Sequence, residues 1–199
     1  MTQRRHAVRH RATKETEVRV ELDLDGTGVT DCHTGLPFFD HMLDQLGRHS
    51  GFDLTVAARG DLEVDAHHCV EDVGIVIGEA LAEALGAKVG IARYASRVIP
   101  LDEALIEVVL DLSGRPFVDY DVPFAPDTPG LGTPPFDPQL VEEFVRAFAV
   151  AGGITIHVTK RKGRNTHHIV EATFKALARA LGDASARHGS TLPSTKGAL

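Results

Sequence analysis

His67-His68-Cys69-Val70-Glu71 and His167-His168-Ile169-Val170-Glu171 repeat one pattern, His-His-x-x-Glu, 100 residues apart. Each copy heads an apolar stretch, and Ala80-Leu81 and Ala180-Leu181 keep the same register further along. In a helix the first His and the Glu stand four residues apart and share a face, while the adjacent His points about 100° away. Neighbouring imidazoles therefore serve two centres more readily than one. A single His-x-x-x-Glu pair reads as a solvated surface contact. Two copies, committing four of the eleven histidines and two carboxylates to matched positions, read as metal ligands. Imidazole nitrogen together with carboxylate oxygen suits a divalent ion of the Mn, Fe, Co or Zn type. The expectation is two metal centres related by an internal pseudo-twofold.

The repeat extends outward from the motifs. Asp53-Leu54-Thr55-Val56 aligns with Thr155-Ile156-His157-Val158 at an offset of 102, and both alternate in strand fashion. Leu22-Asp23-Leu24-Asp25-Gly26 resembles Leu110-Asp111-Leu112-Ser113-Gly114, a strand running into a turn. Residues 38–46 and 139–148 carry apolar side chains at three-to-four spacing and predict amphipathic helices. Each half thus reads strand, strand, helix, strand, helix. This is an internally duplicated α/β (α+β) chain with halves at about 15–100 and 101–188. A period this long indicates a duplicated unit, not a solenoid, and two stacked halves make one adequate core where each alone is marginal. The 102 offset carries His41 onto Glu143, so if His41 is a ligand, Glu143 is its natural counterpart. Taken alone, His41 reads as an ordinary surface or core histidine. Pro123 to Pro138 holds six of the ten prolines and predicts a loop. Residues 189–199 predict an extended tail, which is either frayed or, through its Ser, Thr and Lys, an anion clamp.

The net charge of −7 gives a nucleic-acid role no support. No apolar run reaches membrane-spanning length, and no signal-peptide core follows the start. Residues 1–14, with Arg4, Arg5, Arg9, Arg11 and Lys14, predict a flexible basic arm, with a subunit contact as the alternative. Cys32 and Cys69 make no disulfide framework, and the cytoplasm is the expected location.

Further segments join the two motifs in one ordered set: Lys14-Glu15-Thr16, Leu22 to Gly28, Pro37-Phe38-Phe39-Asp40-His41-Met42-Leu43 and Asp65-Ala66-His67-His68 with Glu71-Asp72. Leu101-Asp102-Glu103-Ala104, Asp111 to Pro116, Asn165-Thr166-His167-His168 with Glu171-Ala172, and Pro193-Ser194-Thr195-Lys196-Gly197 complete it. In this the chain resembles the imidazoleglycerol-phosphate dehydratase family over essentially all of its length after residue 14. The resemblance implies a single catalytic domain of ribosomal-protein-S5-domain-2-like fold, two sheets with the helices packed between them. It implies two Mn²⁺ ions per active site, held by His41, His67, His68, Glu71, His167, His168 and Glu171. The family often has a histidine where this chain has Glu143, the position that the internal repeat also selects. Glu15 and Glu171 are the implied proton-transfer groups, and Glu15, Gln45, His49, Arg93, Arg115, Lys175, Ser194 and Lys196 the implied substrate and phosphate contacts. Without the family, Glu15 reads as a strand-edge carboxylate, Arg115 as a turn residue and Lys175 as a solvated helix charge. The resemblance further implies a homo-oligomer, a cubic assembly of 24 subunits with active sites at subunit contacts. No membrane or nucleic-acid partner is expected.

The implied reaction is loss of water from imidazoleglycerol phosphate, a step of histidine biosynthesis, through an imidazolate and a diazafulvene-type intermediate. A dinuclear hydrolase and a metal-storage or metal-sensing protein are the competing readings. Release of inorganic phosphate would mark the hydrolase. The several cations and a candidate base outside the metal shell argue against the storage protein.

Overall fold

The computed structural model describes residues 4–197, so the ends of the expected arm (1–3) and tail (198–199) lie outside the described residues. The first series of elements is β1 (His6–Ala12), β2 (Thr16–Asp23), β3 (Thr30–His33), α1 (Pro37–Ser50), β4 (Asp53–Gly60) and α2 (His67–Leu85). The second repeats it: β5 (Tyr94–Leu101), β6 (Ala104–Asp111), β7 (Phe117–Asp121), α3 (Leu140–Gly152), β8 (Thr155–Lys162) and α4 (Thr166–Ser185). The sheets have orders β1-β2-β4-β3 and β5-β6-β8-β7, antiparallel except for the parallel outer pairs β3/β4 and β7/β8. Helices α1 and α2 cover the first sheet, α3 and α4 the second, and α1 packs on α4 and α2 on α3 between them. The fold is a duplicated α+β unit.

Each half has one strand more than its hydrophobic pattern announces. The short strand β3, Thr30-Asp31-Cys32-His33, buries only Cys32, which leaves no alternation to read. The flexible-arm expectation is corrected by β1, which pairs with β2 along its whole length. Carboxylates meet the arm's arginines. Arg5 bonds Asp25 at 2.6 and 3.0 Å, Arg9 meets Glu83 at 2.7 Å, Arg11 meets Asp72 at 2.9 Å, and Arg4 pairs with Asp23. Ala7 is buried beneath the strand. Charge density resembling a solvated tail is instead matched, residue by residue, to acidic partners on α2 and the β2 turn.

The pseudo-symmetry can be measured along the chain. Gly51 and Gly153, both left-handed at φ 80° and 63°, end α1 and α3 and stand 102 apart. A positive φ there suits glycine. Buried Phe38, Phe39, Met42, Leu43 and Leu46 map at that offset onto buried Leu140, Val141, Phe144, Val145 and Phe148. The β1–β2 and β5–β6 hairpins match at an offset of 88, since Val20 faces Arg9 and Val108 faces Arg97. Even an ion pair is repeated, Arg9–Glu83 in one half and Arg97–Asp183 in the other.

Between the halves, Phe39, Phe136, Phe144 and Phe174 form an aromatic centre, with Phe39 stacked on Phe136 at 5.7 Å and edge-on to Phe144 at 5.6 Å. Phe136 comes from the proline-rich loop and pins that loop to α1. Helices α2 and α3 approach closely at Gly74 and Gly78, whose missing Cβ atoms would lie 2.9 and 2.6 Å from the carbonyl oxygens of Phe144 and Phe148.

Candidate active site and metal centre

Two ladders of three residues, each at four-residue spacing, face each other across the α1–α4 contact. His41, Gln45 and His49 climb one helix, and His167, Glu171 and Lys175 the other, a spacing that keeps each set on one face. His167 Nε2 lies 2.9 Å and His41 Nε2 3.5 Å from Glu171 Oε2, while Lys175 Nζ donates to Glu171 Oε1 at 2.5 Å. Gln45 joins His41 Nδ1 at 3.5 Å and His49 Nε2 at 3.1 Å. Phe38 packs edge-on to the His167 ring at 5.2 Å and helps to hold it in place. Burial pushes the Glu171 carboxyl up, but hydrogen bonds from Lys175 and His167, with the charges of Lys175 and His41, outweigh it and leave the pKa below normal. Glu171 therefore stays ionised. His49 is shifted down, first by burial and then by the positive charges of Lys175 and Arg179.

Among the described residues, His41, His167 and Glu171 bring three potential ligand atoms within 4.8 Å of one another. Two imidazoles and an ionised carboxylate fit a borderline-to-hard divalent cation. Three donors leave room in a six-coordinate shell for substrate or for further protein ligands.

The counterpart lies at the α2–α3 contact. His67 and Glu143 line one cavity of about 570 Å³ together with Asp65, Gln139, Pro134 and Pro135. Glu71 holds on α2 the helical position that Glu171 holds on α4. The ladder stops there. Gln45 and His49 map onto Ala147 and Ala151, Lys175 onto Ile75, and Ala147 and Ala151 pack against Gly74 and Gly78. The polar ladder is thus confined to the α1–α4 side, and the α2–α3 contact is closed by small residues.

The second histidine of each motif turns elsewhere, as the helical geometry requires. The His67 and His68 rings stand at 89° and the His167 and His168 rings at 84°. His68 Nδ1 meets both oxygens of Asp61 at 3.1 and 3.2 Å, with Glu15 at 3.9 Å. The hydrogen bond to Asp61 raises the His68 pKa. His168 Nδ1 meets Glu103 Oε2 at 2.7 Å, and that hydrogen bond above all holds Glu103 at about 2. Asn165 caps α4 by accepting the His168 backbone N–H.

Of the expected phosphate contacts, Arg93 and Arg115 converge on Asp111. Arg93 bonds it at 2.7 and 3.1 Å and also holds the Pro193 carbonyl at 2.7 Å, which draws the tail bearing Ser194 and Lys196 to the same place. Arg115 lies 4.0 Å from Asp111 and is largely exposed. Lys175 is paired with Glu171 instead. Sequence patterning overlooked three residues. Asp61 and Glu103 hold the outward histidines. Lys88, buried at φ 56°, faces Asp111, Arg93 and Arg115, and burial lowers its pKa. Their signals lie in space: Lys88 stands in the turn between Gly86 and Gly90, and Asp61 follows β4 with no periodicity to mark it.

No helix among the described residues is long and apolar enough to cross a membrane. Residues 34–181 match the family model described as imidazoleglycerol-phosphate dehydratase. Imidazoleglycerol-phosphate dehydratase of Dinoroseobacter shibae is 54% identical over 98% of this chain and all of its own length. That of Anaeromyxobacter sp. strain K is 56% identical, covering 98% of this chain and 92% of the relative. The crystal structure of the Staphylococcus aureus enzyme of that name superposes with a TM-score of 0.81 at 38% identity, covering 92% of this chain and 99% of the other. IGPD from Pyrococcus furiosus gives 0.81 at 36% identity over 96% and 100%. With paired motifs, duplicated fold and full-length relatives in agreement, this chain is an enzyme of the imidazoleglycerol-phosphate dehydratase family.

Proposed function

We propose that the protein dehydrates imidazoleglycerol phosphate to imidazole acetol phosphate in histidine biosynthesis, using two Mn²⁺ ions per active site. The observation that carries the proposal in this chain is the grouping of His41, His167 and Glu171 with Lys175 beside them, a metal-ligand set adjoined by a cation. His41, His167 and Glu171 would hold one ion and His67, Glu71 and Glu143 would contribute to the other. His68 and His168, turned away from these groups, would complete the shells of sites shared with a second copy. When bound, the ions supply Lewis acidity that favours the deprotonated form of the substrate's imidazole ring.

The substrate's reacting C–H has no neighbouring carbonyl to acidify it, so the ring must serve as the electron source. Electron flow from the ring expels the adjacent hydroxyl and gives a diazafulvene. Loss of the C–H proton then yields an enol that relaxes to the ketone, and the net change is one water. Glu15 is exposed and lies beside the outward face of His68, a suitable place for a base. Glu171 is kept ionised by Lys175 and His167 and is the second proton-transfer group. Gln45 and His49 orient the substrate next to His41. Arg93, Arg115, Lys175, Ser194 and Lys196 bind the phosphate, Arg through its planar fork.

The two half-sites sit on different helix pairs, and each has fewer donors than an octahedral shell takes. That supports a homo-oligomer in which a second copy completes each site. A cytoplasmic location belongs to the same proposal, supported by two buried free cysteines whose thiols burial pushes up to about 12. The test is product analysis with imidazoleglycerol phosphate and Mn²⁺. A new ketone with phosphate retained is expected, whereas released inorganic phosphate would make the protein a hydrolase.

A further inference from the structure

The two outward histidines are held by carboxylates that are not equivalent under the repeat. Glu103 lies in the β5–β6 turn, and the hairpin offset of 88 maps it onto Glu15 in the β1–β2 turn. Asp61 follows β4; past the bulge in β8 the offset becomes 103, so Gly60 matches Gly163 and Asp61 maps onto Arg164. Gly60 and Gly163 match in space as well, since a Cβ at Gly60 would meet Cys69 and Thr16 and one at Gly163 would meet Ile169 and Ala104. The second half therefore has an arginine where the first has Asp61, and its hairpin carboxylate takes the histidine instead. In the first half Asp61 already occupies His68 Nδ1, and Glu15 stands off at 3.9 Å.

We infer that Asp61 and Glu103 are the positioning residues of His68 and His168, and that moving this task to Asp61 leaves Glu15 free for proton transfer. A carboxylate only accepts, so each one fixes its imidazole with the proton on Nδ1 and the lone pair on Nε2, the form a metal ligand requires. The inference rests on the metal-dependent function proposed above. Its own content is the division of labour between two carboxylates that descend from one position.

The two anchors differ in a way that mutation can read. Glu103 Oε1 accepts the backbone N–H groups of Arg164 at 3.2 Å and Asn165 at 2.7 Å, while Oε2 takes His168. In Glu103→Gln the amide oxygen stays on those two donors, so the loop remains capped and the NH₂ faces Nδ1. That nitrogen must then accept, and the proton moves to Nε2, the wrong form for a ligand. Asp61 shows both oxygens to a single nitrogen, so in Asp61→Asn the amide turns its carbonyl to His68 and keeps the tautomer.

Manganese titration of the metal-stripped protein, read by the EPR signal of free Mn²⁺, tests this alongside turnover and thermal midpoint. Wild type should bind two ions per active site. Glu103→Gln should weaken one of them about 10–100-fold, with an unchanged midpoint and turnover recovered in excess Mn²⁺. Asp61→Asn should stay within a few-fold of wild type. Glu15→Gln should bind both ions normally and lose turnover that excess Mn²⁺ does not restore. Unchanged affinity in Glu103→Gln, equal losses in the two anchor variants, or metal loss in Glu15→Gln would overturn the assignment. Wild-type protein that takes up no Mn²⁺ would overturn the proposed function as well.

Discussion

Gly78→Ala should destabilise this protein, although mid-helix glycine to alanine ordinarily stabilises. Helix propensity alone favours alanine by about 1 kcal/mol. Here the added Cβ would lie 2.6 Å from the Phe148 carbonyl oxygen, 2.9 Å from Ala151 Cβ and 2.9 Å from the Gly152 nitrogen. Two of these are backbone atoms of α3, so relief requires the helices to separate. Overpacking of this kind costs about 1–3 kcal/mol, and three contacts under 3.0 Å argue for the upper end. Set against the propensity gain, the net loss is about 1–2 kcal/mol, or roughly 3–6 °C in midpoint for a domain of this size. The separation also moves Glu143 on α3 away from His67 on α2, so one Mn²⁺ should bind more weakly while the α1–α4 centre is unaffected. Gly189→Ala is the control, because a Cβ there meets nothing within 4 Å. Calorimetry and manganese titration read both effects. A Gly78→Ala protein that melts above wild type would refute the close-approach reasoning.

Glu143→Gln should release one of two ions and lower activity, and Glu143→His should restore both, as metal analysis and turnover would show. Lys88→Met should raise KM several-fold with full metal content; an unchanged KM would remove Lys88 from the phosphate site. Asp25→Ala leaves buried Arg5 without its carboxylate and should cost about 1.5–3 kcal/mol in denaturant melts, toward the low end because Asp25 is partly exposed. The Arg5 hydrogen bond holds the Asp25 carboxyl below the ordinary aspartate range, so its stabilisation is complete above that range and fades as pH falls through the lower folded value. Asp25→Asn should therefore flatten the acid limb of the stability curve below about pH 4.

The duplication was legible because burial imposes period on sequence. The buried positions of α1 recur in α3 at one constant offset, and the His-His-x-x-Glu copies recur on α2 and α4. The strand β1 was not legible, since its arginines find acidic partners on α2 and in the β2 turn that no local pattern announces. Gln45 and His49 entered only through the family resemblance, and packing alone sets the ladder His41, Gln45, His49 against its partner on α4. Asp61 and Glu103 escaped because each acts across a turn on a histidine far along the chain. Their non-equivalence appears only when two different offsets, 88 for the hairpins and 103 past the bulge in β8, are applied to one site.

One duplicated helix layer would build two metal centres with matched ligands. Diffraction at the manganese edge from crystals of the Mn²⁺-loaded protein tests it most directly. The account predicts two anomalous peaks per active site, one against His41, His167 and Glu171 and one against His67, Glu71 and Glu143. The Glu143 oxygen should lie within about 2.6 Å of its ion, the outer range for carboxylate ligation. A single peak, or a second ion with Glu143 well outside that distance, would contradict it.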